Sequence, residues 1–315
     1  MNDIIETGEA IVAYYDLRTA PITFDFTHYI AAAGAYAQAK GKPHFDLVLV
    51  ADAFRNVTQR EQSYTMVERQ WRLWNLILEV VKVVPQVQNV SITRRPIKTK
   101  APETYPPQYD PITNPAIPYS VPVVRQFHDR GIDVKLFRPS KYAQRAAERM
   151  VPRTGKKLFC ITLRKAGFDA VRDSHLDDWY KFYKLLESRG HEVIIIPDQD
   201  DALSDRTIQG YDWRVLDVAS MSIDLRLALY HRADMNYVTN GGMIGIFLYS
   251  HVPYFWFSVA VEGSHVASEA FYRGQGIERG GKYAWLAGNQ AMMWEPDTFV
   301  NLSGSLDRII FHNPV

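Results

Sequence analysis

"NYVTNGGMIGIFLYSHVPYFWF", residues 236–257, is the stretch on which the fold turns. An apolar run closes at Thr239–Asn240, two glycines follow, an apolar helical segment comes next, and a second run opens at Pro253. Strand, turn, helix and strand in this order describe a unit of parallel sheet, because parallel neighbours need a crossover rather than a hairpin. The glycine pair at 241–242 has two readings. It permits tight packing of strand against helix, or it bares a backbone that an anion can approach. No Lys-Ser/Thr pair follows it and its glycines lack the spacing of the three-glycine dinucleotide fingerprint, so both of those phosphate motifs are excluded.

The same alternation runs outward in both directions. Upstream in the second half lie the strand candidates "LFCITL", "HEVIIIPD" and "RVLDVA", separated by the helix candidates "HLDDWYKFYKLLESRG" and "SIDLRLALYHRA". The first half repeats the theme with "AIVAYYDL", "FDLVLVAD", "VQNVSIT" and "DVKLF" as strands. Its helices are an Ala-rich segment closed by Gly41, a segment with Val67, Trp71, Trp74, Leu78 and Val81 at helical spacing, "VPVVRQFHDRG" and "SKYAQRAAERM". A near-continuous apolar run such as 45–50 is how a parallel strand buried on both faces reads. The polar, basic "VPRTGKK" separates the halves. The expected architecture is α/β, with two Rossmann-like parallel domains, residues 1–152 and 153–315, facing each other across a cleft. Between the two halves of the first domain, residues 96–120 are dense in proline, which interrupts helix and central-strand pairing. A loop of that length either covers a substrate or forms a packed excursion.

Composition narrows the function classes. The chain has 315 residues, 47% apolar and 23% charged, ordinary for a globular protein and long enough for two cores. A net charge of +1 gives no general attraction to nucleic acid or acidic membranes, so contact with a membrane is expected to be peripheral at most. One cysteine, Cys160, excludes an internal disulfide and a cysteine-based zinc site, and its apolar setting reads as core. The first residues lack the basic and apolar regions of a signal peptide and no run reaches membrane-span length, so a cytoplasmic location is expected.

Ligands of open α/β sheets bind beyond the carboxyl ends of the strands. Arg164 leaves one such end and Arg172 lies in the loop after it. Two guanidinium forks suit a phosphate or diphosphate, unless Asp169 and Asp173 neutralise them in a salt-bridged loop. Pro197 and Asp198 stand at another strand end. The Asp198–Asp200 pair could hold a divalent metal or be ordinary loop chemistry. Thr239, Asn240, Gly241 and Gly242 form the turn already described, and Ser264 and His265 lie past the next strand end, within reach of the same ligand. In the first half, Asp25 and His28 follow the first strand. Either is placed to act as a general base, while Asp25 could instead cap the helix beginning near Phe26.

Four segments carry a family resemblance: "ITLR" (161–164), residues 217–257, "GNQAMMWEPD" (288–297) and "DLRTAPITFDFTHYIAAAG" (16–34). Together they resemble the two-domain glycosyltransferases of the GT-B fold, particularly the heptosyltransferase-like and fucosyltransferase-like enzymes of bacterial surface-glycan assembly. The resemblance implies an acidic base in the first loop, matched here by Asp25. It also implies a nucleotide-diphosphate sugar as donor, held at Arg164 and the 239–242 turn, and a glycan or lipid-linked hydroxyl acceptor. Transfer would invert the anomeric centre without a metal or other cofactor. The family's usual Asp-x-Gly before the helix stands as Asn-Gly-Gly in this chain. A nucleotide-sugar epimerase and a non-catalytic sugar-nucleotide binder share the architecture.

Overall fold

The computed structural model describes residues 10–51, 61, 64–94 and 103–309. The chain divides into two compact units, Met1–Arg138 and Pro139–Val315.

In the first unit, β1 (Ile11–Asp16) is buried at every position and pairs in parallel with β2 (Phe45–Val50). Between them runs α1 (Phe26–Ala39), whose Ala-rich sequence lets nearly the whole helix be buried. Gly34 leaves room there for Leu136, since a Cβ at this position would stand 2.5 Å from Leu136 Cδ1 and the leucine tip would have to turn aside. After β2 the expected long helix forms as α2 (Met66–Arg72), a π-helical turn (Leu73–Ile77) and α3 (Leu78–Lys82). Thr65 begins it with a capping box closed by Glu68. β3 (Val87–Thr93) follows, and β4 (Thr104–Tyr105) adds a short strand on the far side of β1. The sheet order is β3-β2-β1-β4, all parallel. α4 (Val121–His128) packs on α1.

Two expectations fail in this region. "DVKLF" is extended but forms no ladder, since Lys135 N–H turns to the Asp133 carboxylate and Arg138 N–H to Val83 O. The chain also divides ahead of the hinge expected at 153. α5 (Lys141–Met150) groups with the second unit, where it packs on α7 (Ile223–Arg232) and Ser140 bonds Asp224 at 2.6 Å.

The second unit contains β5 (Leu158–Thr162), α6 (Leu176–Ser188), β6 (Glu192–Ile196), α7, β7 (Met235–Val238), α8 (Ile244–Leu248) and β8 (Tyr254–Trp256). α9 (Glu269–Gly274), β9 (Gln290–Met292) and α10 (Phe299–Gly304) complete it. The parallel sheet runs β6-β5-β7-β8-β9. Its core gathers Phe159, Ile161, Trp179, Phe182, Ile195, Tyr237 and Phe257. Cys160 is buried in β5 and burial pushes its thiol pKa up, as a core cysteine requires. "RVLDVA" forms only a single bridge, Val215 to Ile195, before turning into a 3₁₀ segment. No helix among the described residues is long and apolar enough to cross a membrane.

Candidate functional site

The sheet of the second unit reverses its strand order at β5. β6 lies on one side of β5 and β7 on the other, so the crossovers leaving β5 and leaving β7 diverge, the arrangement that places a crevice at the carboxyl ends of open α/β sheets. The segments flanking this point are 163–174 after β5 and 239–243 after β7. Side chains stitch them together. Ser174 Oγ lies 3.0 Å from Thr239 Oγ1 and accepts the Arg164 N–H at 2.9 Å. Arg172 reaches Asn240 Oδ1 at 3.4 Å, while the Asn240 amide donates to Val259 O at 2.6 Å and Tyr272 Oη at 3.0 Å. At Gly241 a Cβ would stand 3.5 Å from Arg164 Cδ, an ordinary contact, so close packing alone does not demand glycine there.

Both arginines are buried, and both are ion-paired inside their own loop. Arg164 bonds the Asp173 carboxylate and the carbonyls of Phe168 and Asp169. Arg172 lies 2.6 Å from Asp169 Oδ2, the oxygen that also accepts Ser264 Oγ at 2.7 Å. Of the two arrangements open from the sequence, the salt-bridged loop is the one present. Asp169, whose carboxylate meets both partners, adopts a left-handed backbone (φ 55°). Lys165, half exposed at its tip, lies 3.2 Å from Asp173 Oδ2 and adds a further positive charge.

The remaining expected residues divide. Pro197 O accepts Ser220 Oγ at 2.7 Å and the buried Arg226 at 3.2 Å, a structural use of that carbonyl. Asp198 is half-buried; burial and then neighbouring Asp200 raise its carboxyl pKa, against the pull of Arg226 and Arg164. Its Oδ1 accepts Gln199 N–H at 2.7 Å. His265 is exposed, while its neighbour Ser264 is tied into the crevice network. Among the described residues no group of three or more His, Cys, Asp or Glu side chains is gathered as a metal would require. α8 has five residues, too short a dipole to carry an anion site by itself.

The first unit also switches direction, between β1 and β4. Asp25 sits at the start of α1 in helical conformation, and its side chain makes no capping bond. Its Oδ2 instead accepts Thr23 Oγ1 at 2.7 Å. His28, one turn on, is half-buried; burial lowers its pKa and Asp25 pulls it back up. Glu61, which sequence pattern did not single out, is buried with Oε1 accepting Ile22 N–H at 2.8 Å. It thereby pins the loop that carries Asp25. Asp16, at the end of β1, holds Arg18 in a forked pair (2.6 Å) and accepts Tyr109 Oη at 2.9 Å. Tyr109 stacks on Tyr14 at 4.5 Å, and Arg18 and Thr19 bond the carbonyls of Pro111 and Pro115 at 2.8 and 2.6 Å. The proline-rich stretch from 103 onward is thus a packed excursion anchored on the β1 end. Residues 96–102 lie outside the described residues.

No protein-family model and no curated protein matches the sequence. Solved structures do. A glycosyl transferase of family 9 from Veillonella parvula superposes with a TM-score of 0.53 at 7% identity, over 83% of this chain and 84% of its own. The ADP-heptose lipopolysaccharide heptosyltransferase II of E. coli gives 0.50 at 9% identity, over 95% and 98%. With two parallel α/β units and these neighbours, the chain has the fold of the heptosyltransferase-like GT-B glycosyltransferases.

Proposed function

We propose that this protein transfers a glycosyl group from a nucleoside-diphosphate sugar to a hydroxyl acceptor, with inversion and without a metal. The observation that carries the reading is the coincidence of two independent features at one place. The strand order of the second unit opens its crevice between β5 and β7, and the Arg164–Arg172 loop and the Thr239–Gly242 turn border that crevice.

In this reading the donor diphosphate lies against the 240–242 backbone, with Lys165, Arg164 and Arg172 supplying positive potential as charge builds on the leaving group. Asp169 and Asp173 share those cations in the unliganded protein, so the diphosphate competes with carboxylates already in place. Asp25 takes the proton of the attacking hydroxyl. A carboxylate not engaged in capping keeps lone pairs for that proton, which supports Asp25 over His28. Glu61 and Thr23 fix the loop and the carboxylate. A glycan or lipid-linked acceptor fits a protein with the fold of enzymes that build surface glycans. ADP-linked sugars are the first donors to test, because one structural neighbour is an ADP-heptose enzyme.

The test is a thermal-shift panel of ADP, UDP, GDP, dTDP and CMP at millimolar concentration, followed by Asp25→Asn. Stabilisation by a diphosphate, with donor binding retained and turnover lost in the variant, supports the assignment. Stabilisation by none of the nucleotides would sink the donor site. Conversion of a nucleotide sugar with no acceptor present would mark an epimerase instead.

A further inference from the structure

A buried carboxylate on the same carboxyl edge organises an imidazole that the reaction scheme above does not use. Asp297, which follows β9, is 2% exposed. Its Oδ2 accepts His175 N–H at 3.1 Å and Trp179 Nε1–H at 2.6 Å. Its Oδ1 accepts Ser258 Oγ at 2.9 Å and faces His175 Nδ1 at 3.1 Å. One carboxylate therefore fixes both the backbone and the ring of His175. A ring held through Nδ1 on a buried acceptor turns its Nε2 edge away from that acceptor, and the His175 side chain is 58% exposed.

His175 adjoins Ser174, whose Oγ bridges Arg164 N and Thr239 Oγ1 across the crevice. Ser258, just past β8, bonds Asp297 and takes a left-handed backbone (φ 52°), a conformation that a residue other than glycine adopts at a cost. Asp169, in the loop that leads from β5 to His175, is held in the same region (φ 55°). Strained serine and aspartate positions on one strand edge are what an assembled site looks like, whereas capping α6 alone would need only the Asp297–His175 backbone bond.

We propose that His175, oriented by Asp297, donates from Nε2 to a phosphate oxygen of the nucleoside diphosphate bound in the β5/β7 crevice. The inference rests on the donor-site reading above and adds the residue that meets the leaving diphosphate. Asp297 holds the ring from the Nδ1 side and leaves the Nε2 edge for the phosphate. Asp297 is a positioning residue and His175 the contact.

The test is calorimetric titration of the full chain at pH 7 with inorganic pyrophosphate and with ADP, UDP and GDP, on wild type, H175A and H175Q. H175A is folded if its far-ultraviolet circular dichroism matches wild type, as expected for an exposed side chain. Loss of one charge-assisted hydrogen bond weakens binding roughly tenfold or more. The proposal predicts that loss in H175A for pyrophosphate and nucleotides alike, and a shift of the His175 ring ¹⁵N resonances when pyrophosphate binds to wild type. Equal affinities in wild type and H175A, or unmoved ring resonances, overturn the role of His175 and leave the donor site standing. Failure of wild type to bind any of the four ligands overturns the donor site and this inference together.

Discussion

Replacing Asp173 separates what the Arg164 loop does for stability from what it does for binding. The Arg164 and Asp173 side chains are 6% and 10% exposed, so solvent screens the pair little. In D173A the guanidinium keeps the carbonyls of Phe168 and Asp169 but loses its counter-charge. Lys165 loses a partner at 3.2 Å, and Ala166 N–H loses the acceptor it finds at 3.2 Å. One-sided removal of a buried pair costs about 3–5 kcal/mol, and the two surviving carbonyl bonds reduce this to about 2–3 kcal/mol. At about 2–4 °C per kcal/mol for a unit of this size, the unfolding midpoint of the second unit should fall by about 4–12 °C. D173N keeps an acceptor oxygen and should fall by about half as much. The second arm adds inorganic pyrophosphate. An anion that competes with Asp173 for Arg164 should raise the midpoint of D173N by more than that of wild type. Differential scanning calorimetry reads both quantities. A fall in D173A of less than about 1 °C, the scale of an ordinary surface change, would refute the claim that this pair holds the loop. Equal pyrophosphate shifts in wild type and D173N would refute the competition.

Other outcomes follow from the same contacts. Gly34→Ala places a Cβ against the Leu136 side-chain tip, and overpacking of about 1 kcal/mol, the low end because the leucine can turn aside, should lower the midpoint of the first unit in a chemical denaturation series. Burial lowers the folded-state pKa of His28, so the unfolded chain binds its proton first as pH falls from above about 6.5. Stability should therefore drop from pH 7.5 toward acid until the folded pKa is passed, and H28N should flatten that slope in denaturant titrations. Asp198 has the opposite sign, its folded pKa being raised, so its charge opposes folding at neutral pH. Asp198→Asn keeps an acceptor for Gln199 N–H and should raise the midpoint at pH 7 while changing nothing below the carboxylate range.

Much of the fold was legible because burial on both faces of a parallel sheet writes continuous apolar runs. β1, β2, β5, β6, β7 and β8 all read that way. β4 and β9 were missed because each is only two or three residues long, one inside a proline-rich stretch and the other among turns. "DVKLF" carries strand composition, yet its backbone donors are taken locally, which no periodicity announces. In the site, strand-end placement singled out Arg164, Arg172 and Thr239–Gly242, and the structure joins their two loops through Arg172–Asn240 and Ser174–Thr239. Their ion pairing was visible as an alternative and is what forms. Glu61 and Asp297 were illegible for a different reason. Each acts on a residue distant in sequence, Ile22 and His175, and only the fold brings them together.

On the proposed function, a nucleoside diphosphate binds at the carboxyl ends of β5 and β7. Hydrogen exchange of the full chain, with and without saturating ADP, UDP or GDP and read by mass spectrometry, tests it at peptide resolution. Binding there should slow exchange in peptides covering 163–175 and 239–245 with the cognate nucleotide. Slowed exchange confined to other segments, or none with any of the three, would contradict it.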